Sequence, residues 1–151
     1  MKPTQFKPLR ILIVVILILL AMQYEFGMAV NISNPPSIPP FGFSISAISD
    51  ALHQAGGVAL LHAILGAWLV IFSLVSLILS LRTKVRSVQI FGVLAFLSIF
   101  LAATSGLLFI LSGFQDDHYS HGMATNFILT FAFSFLELYF LKPDAKVRSN
   151  R

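Results

Sequence analysis

The chain has 151 residues, 57% of them hydrophobic and 11% charged, with no cysteine and a formal net charge of +4. So few charges cannot cover a water-soluble surface, which leaves only the number of membrane spans to decide. Lacking cysteine, the chain has no disulfide, thiolate metal site, Fe–S cluster, cysteine nucleophile or covalently attached c-type haem. Excess positive charge fits either nucleic acid or membrane orientation, and the positions of the basic residues, given below, assign it to the membrane and exclude a nucleic-acid partner.

Residues 1–10 are polar, with Lys2, Lys7 and Arg10, and an unbroken apolar run follows from Ile11 to Met22. Two readings fit. One is a first span over 11–30, about 30 Å long at a rise of 1.5 Å per residue. The other is a cleaved signal peptide, with Gly27 and Ala29 spaced like a cleavage site. Glu25 counts against the span, Gly27-Met28-Ala29 is only a loose match to a cleavage site, and the retained span is the reading taken. Residues 31–55 then form an outer loop. Pro35-Pro36 and Pro39-Pro40 cannot continue a helix, and Asn31-Ile32-Ser33 matches a glycosylation sequon. From Ile45 onward, Ile48, Leu52 and Ala55 recur at helical spacing opposite Ser46, Ser49, Asp50, His53 and Gln54. This pattern predicts a short amphipathic helix at the interface.

The second span, 56–81, contains no charged side chain. Ala55, Ala59, Ala63 and Ala67 repeat at i+4, which allows close helix approach in lipid. His62, Gly66, Leu69, Ser73, Ser76 and Ser80 form one stripe, predicted to face protein. An ionisable residue such as His62 at this depth marks a functional site unless it is bonded to a serine or carbonyl of a neighbouring helix. A cytoplasmic loop at 82–87 carries Arg82, Lys84 and Arg86. The third span, 88–114, has small residues at Ala95, Ser98, Ala102, Ser105, Gly106 and Ser112 and reads as scaffold. The fourth, 118–141, ends at Lys142-Pro143, and a basic tail occupies 142–151. Glu137, near its end, reads as snorkelling or paired with Arg82, Lys84 or Lys142, with a proton path as the sharper alternative.

Every Lys and Arg falls at the termini or in the 82–87 loop. Under the positive-inside rule both termini are cytoplasmic, in a multi-pass protein of the cell membrane. The predicted fold is all-α: a single membrane domain built as an up-down bundle of four transmembrane helices, with the lipid bilayer and other membrane subunits as partners.

His62 lies 19 residues before Leu81, and His121 lies 20 before Leu141. Spans two and four run the same way, so the two imidazoles sit at matched depth, within about 2 Å. On diagonal helices roughly 11–14 Å apart they meet the separation that a haem with two axial histidines requires. In His62-Ala63-Ile64-Leu65-Gly66 and His121-Gly122 the chain resembles membrane b-type cytochromes of the cytochrome b561 kind. That resemblance implies haem b, electron transfer and His62 and His121 as ligands. It departs from the family where His53 and His62 face opposite sides of a helix, and where the outer side lacks an Arg or Lys for haem propionates.

A second constellation is Asp116-Asp117-His118-Tyr119-Ser120-His121. His118 and His121 share a helix face, and with Asp117 and His53 they could bind copper or zinc. The same residues also make an ordinary helix start, with acids at the positive end of the dipole. No phosphate loop, G-x-S-x-G or H-E-x-x-H motif is present. The function expected first is therefore a haem b electron-transfer subunit. The alternatives are a non-catalytic accessory or assembly subunit of a larger membrane complex, and an outer-face copper or zinc site.

Overall fold

A computed structural model describes residues 6–32 and 44–141, apart from the Asn31 side chain. The Pro-Pro pairs, the basic tail, and Ser33 and the Asn31 side chain of the sequon lie outside the described residues. Within them the chain is all-helical: α1 Lys7–Ile32, α2 Ile45–Ala55, α3 Gly57–Leu81, α4 Arg86–Leu111 and α5 Asp117–Phe140. α1, α3, α4 and α5 are each long and apolar enough to cross a membrane.

Contacts join α1 to α3, α3 to α4, α4 to α5, and α5 back to α1, whereas α3 and α5 make no backbone approach to each other. Two apolar clusters fill the centre. Ile16 and Leu20 of α1 meet Leu69 of α3 and Ile99 and Ala102 of α4. Nearer the basic end, Leu9 and Ile13 meet Val88 and Leu141. The stripe read from α3 does face protein, since Leu69, Ser73, Ser76 and Ser80 are all buried. On α4 the small residues Gly92, Ala95, Ser98 and Ala102 are likewise buried. Small residues let the helices approach closely enough for dispersion contacts to hold them together. Phe91 of α4 stacks on Phe133 and Phe140 of α5 at centroid distances of 6.4 and 5.4 Å.

The ends follow local rules. Ser44 caps α2 by accepting the Ala47 N–H at 3.0 Å. Gly56, at φ +94°, turns the chain from α2 into α3, a conformation that L side chains rarely adopt. α4 stops three residues before the predicted Phe114. There the Gly113 N–H donates to the Ile110 carbonyl, the Phe114 N–H donates to the Phe109 carbonyl, and both Gly113 and Phe114 have positive φ. This is a Schellman closure, and its hydrophobic contact is the edge-on Phe109–Phe114 pair, with ring centroids 5.6 Å apart.

Gly92 is the tightest point of the ring. An added Cβ there would lie 2.8 Å from Ser80 Cβ and 3.1 Å from Glu137 Oε1. Gly92→Ala should destabilise the fold by roughly 1–3 kcal/mol through overpacking. At Gly57 an added Cβ meets nothing within 4 Å. Gly57→Ala should be neutral or stabilising by up to about 1 kcal/mol. Thermal unfolding of the two variants in detergent checks both expectations, and equal melting temperatures would contradict the packing described.

Candidate functional site: an apolar cavity beside His62 and Gln23

Away from the basic loop the helix ring opens into a cavity of about 440 Å³. Its walls come from all five helices and are mostly apolar. Ile48 and Leu52 of α2 contribute, with Ala63 and Gly66 of α3, Ala103 and Gly106 of α4, and Phe127 of α5. Tyr24 of α1 stacks on Phe127 at 5.9 Å and forms another part of the wall. Polar groups enter the lining through Gln23, Tyr24, His62 and Ser120, and no Lys, Arg, Asp or Glu does.

Gln23 and His62 form a unit. The Gln23 amide nitrogen donates to the His62 carbonyl at 3.0 Å and lies 3.3 Å from His62 Nε2. A carbonyl only accepts, so the first contact fixes which end of the amide is nitrogen. With its first hydrogen used there, the amide offers its second to His62 Nε2. That ring nitrogen is then the acceptor, and the ring hydrogen sits on Nδ1. Two buried polar atoms remain without a partner, Gln23 Oε1 and His62 Nδ1. One is an acceptor and the other a donor, each of a kind that folded proteins rarely leave unmet.

Two glycines make the pairing possible. An added Cβ at Gly27, one turn beyond Gln23 on α1, would lie 3.0 Å from His62 Cε1, and one at Gly66 would lie 3.2 Å from Gln23 Nε2. The imidazole rests against the α1 backbone, and the amide rests against the α3 backbone.

The other sequence-identified residues lie elsewhere. His53, His118, His121 and Asp117 are exposed, and none lines the cavity. Among the described residues no three His, Asp or Glu side chains group to hold a metal ion, so Asp117, His118, His121 and His53 are not brought together. Asp116 has a local role, capping α5 by accepting the His118 N–H at 3.0 Å. Haem b fits poorly as well. The His62 Nε2 lone pair is taken by Gln23, Nδ1 is buried beside Gly27, and the second proposed axial ligand, His121, is outside the cavity.

No family model matches the chain, and neither a curated protein nor a solved structure matches it.

Gln23 and Gly27 are the site residues that sequence reasoning missed. Their signal was present as a polar side chain and a glycine at i and i+4 on one face of an apolar helix.

Gln23→Leu removes the donor to two His62 acceptors and should destabilise the protein by roughly 1–3 kcal/mol. Exposed His118→Ala and His121→Ala should stay within about 0.5 kcal/mol of the parent. Thermal unfolding in detergent ranks the three. Protein produced with ample haem should show no b-type α-band in a reduced-minus-oxidised spectrum. A band lost in both His62→Ala and His121→Ala would restore the bis-histidine reading.

Proposed function

We propose that the chain is an integral membrane protein of four spans, an up-down bundle with both termini and the 82–87 loop on the cytoplasmic side. Within it the cavity works as a non-catalytic binding site. Its ligand is a neutral, largely apolar molecule that dissolves in the bilayer and carries a hydrogen-bonding head group. The observation that carries this reading is the cavity itself, mostly apolar and bordered by the hydrogen-bonded Gln23–His62 pair from neighbouring helices.

Ligand chemistry follows from the lining. A volume of about 440 Å³ is within the range of small-molecule sites, which combine apolar walls with a few polar groups. Without a basic or acidic residue in the lining, neither an anionic nor a cationic head group finds a counter-charge. A hydroxyl or carbonyl head can bond to the neutral polar residues of the lining, Gln23, Tyr24, His62 and Ser120. Catalysis finds less support. Ser120 lines the cavity, but the lone pair of His62 Nε2 is taken by Gln23, so no free base stands beside a nucleophile.

Orientation rests on charge. Lys7, Arg10, Arg82, Lys84 and Arg86 all sit at one end of the helix ring and are exposed there. With no native cysteine, single substitutions report sidedness directly. Lys84→Cys should react with a membrane-impermeant maleimide only after cells are opened, and Ser44→Cys should react in intact cells. The reverse pattern would invert the topology.

A radiolabelled long-chain alcohol should bind the detergent-purified protein saturably and better than the carboxylate of equal length. Ala63→Phe, which fills the cavity, should weaken binding by about tenfold or more, equal to about 1.4 kcal/mol. Gln23→Leu should weaken it by about 2- to 12-fold, the range of one net hydrogen bond. Binding unchanged by Ala63→Phe would place the ligand elsewhere.

A further inference from the structure

The other half of the ring holds a polar group that the cavity does not use. Glu137 of α5 is 2% exposed, well inside a helix of membrane-spanning length, and it neither snorkels nor reaches a described cation. Its hydrogen-bond partner is the Ser80 hydroxyl of α3. The two side chains cross the diagonal of the ring, between helices whose backbones do not touch, through the space that Gly92 of α4 leaves open.

Counting hydrogens locates a proton. Ser80 Oγ lies within bonding distance of the Glu137 carboxyl and also 2.7 Å from the Ser76 carbonyl. A serine hydroxyl has one hydrogen, and a carbonyl can only accept. If Glu137 were ionised, two acceptors would share that single hydrogen. If Glu137 carries a hydrogen, it donates to Ser80 Oγ, Ser80 donates to the Ser76 carbonyl, and every short oxygen pair has its hydrogen. The surroundings agree with a neutral acid. From α1 the charged groups at this end are Lys7 and Arg10, from α3 and its loop Arg82 and Lys84, and from α4 Arg86. All five are exposed, and on α5 itself Tyr139 is exposed too. The hydrogen-bond chain that begins at the acid ends at the Ser76 carbonyl, and the buried Ser76 Oγ takes no part in it.

We propose that Glu137 is a proton-binding site inside the helix ring, a neutral carboxylic acid that donates to Ser80 across the diagonal and clasps α3 to α5 while the proton is bound. Losing the proton places a carboxylate beside Ser80 and Gly92 with no described cation against it, so the clasp loosens. The bound species is a proton, and no metal is needed.

Infrared spectroscopy of the full chain reads the state directly. At neutral pH the wild type should show the carbonyl-stretch band of a protonated carboxylic acid, absent from Glu137→Gln. Ser80→Ala should shift that band because the acid loses its acceptor. The same samples give a second measurement. The melting temperature of the wild type should fall as pH rises past about 4.3, where an unfolded chain's glutamate sheds its proton while the buried acid keeps it, and Glu137→Gln, permanently neutral and close in shape, should lose that dependence while remaining folded at neutral pH. Absence of the band at neutral pH, as for a carboxylate paired with Lys142, would overturn the proposal. So would a band that persists in Glu137→Gln, or a pH dependence unchanged by that substitution.

Discussion

The hydrogen bond between Ser80 and Glu137 reaches across a diagonal of the helix ring, and much of the local architecture exists to permit it. α3 and α5 do not approach each other along their backbones. Their link must therefore be made by side chains, and through the space beside α4. That space exists because position 92 is glycine and any Cβ there would overlap Ser80. Buried among apolar side chains, an unmet polar group costs several kcal/mol. A carboxyl and a hydroxyl placed inside such a ring therefore constrain helix position more sharply than apolar contacts, which tolerate sliding.

His62 and Gln23 do the corresponding work at the other end, between neighbouring helices. Gln23 ties α1 to both the backbone and the ring of His62, and Gly27 and Gly66 bring the helices near enough for it to do so. Between the two polar points lies the apolar packing of Leu20, Leu69 and Ile99. Each end keeps unmet polar atoms, Ser76 Oγ near Glu137 and Gln23 Oε1 with His62 Nδ1 near the cavity. What separates the two ends is space: side chains fill the ring around Glu137, whereas a cavity opens beside His62.

The sequence made periodic features legible. The four long apolar helices, the α3 stripe from Leu69 to Ser80 and the buried small residues of α4 all follow from spacing on one helix, and the structure shows them. Features that depend on the relative rotation of two helices were not legible. Counting residues gave His62 and His121 similar depth, but depth does not fix azimuth, and His121 faces outward. Glu137 read as snorkelling because it lies near a basic loop, whereas its neighbours Thr130 and Ser134 share its buried face. The Asp116–His121 stretch could be read as holding a metal ligand, Asp117, or as an ordinary helix start, and the bond from the His118 N–H to Asp116 shows a cap there. Gly27 resembled a processing signal because its partner, the ring of His62, is 35 positions away in the chain.

The long sequence separation of the polar pairs also imposes an order on biosynthesis. Gln23 is made 39 residues before the histidine that satisfies it, and Ser80 is made 57 residues before Glu137. At synthesis rates of roughly 5–20 residues per second, Gln23 waits about 2–8 s and Ser80 about 3–11 s for its partner to be made. During those intervals the early helices carry polar groups that only later helices can satisfy. The ring is thus closed only by its last helix, and a nascent chain stalled after α4 would hold a complete Gln23–His62 contact beside an incomplete diagonal.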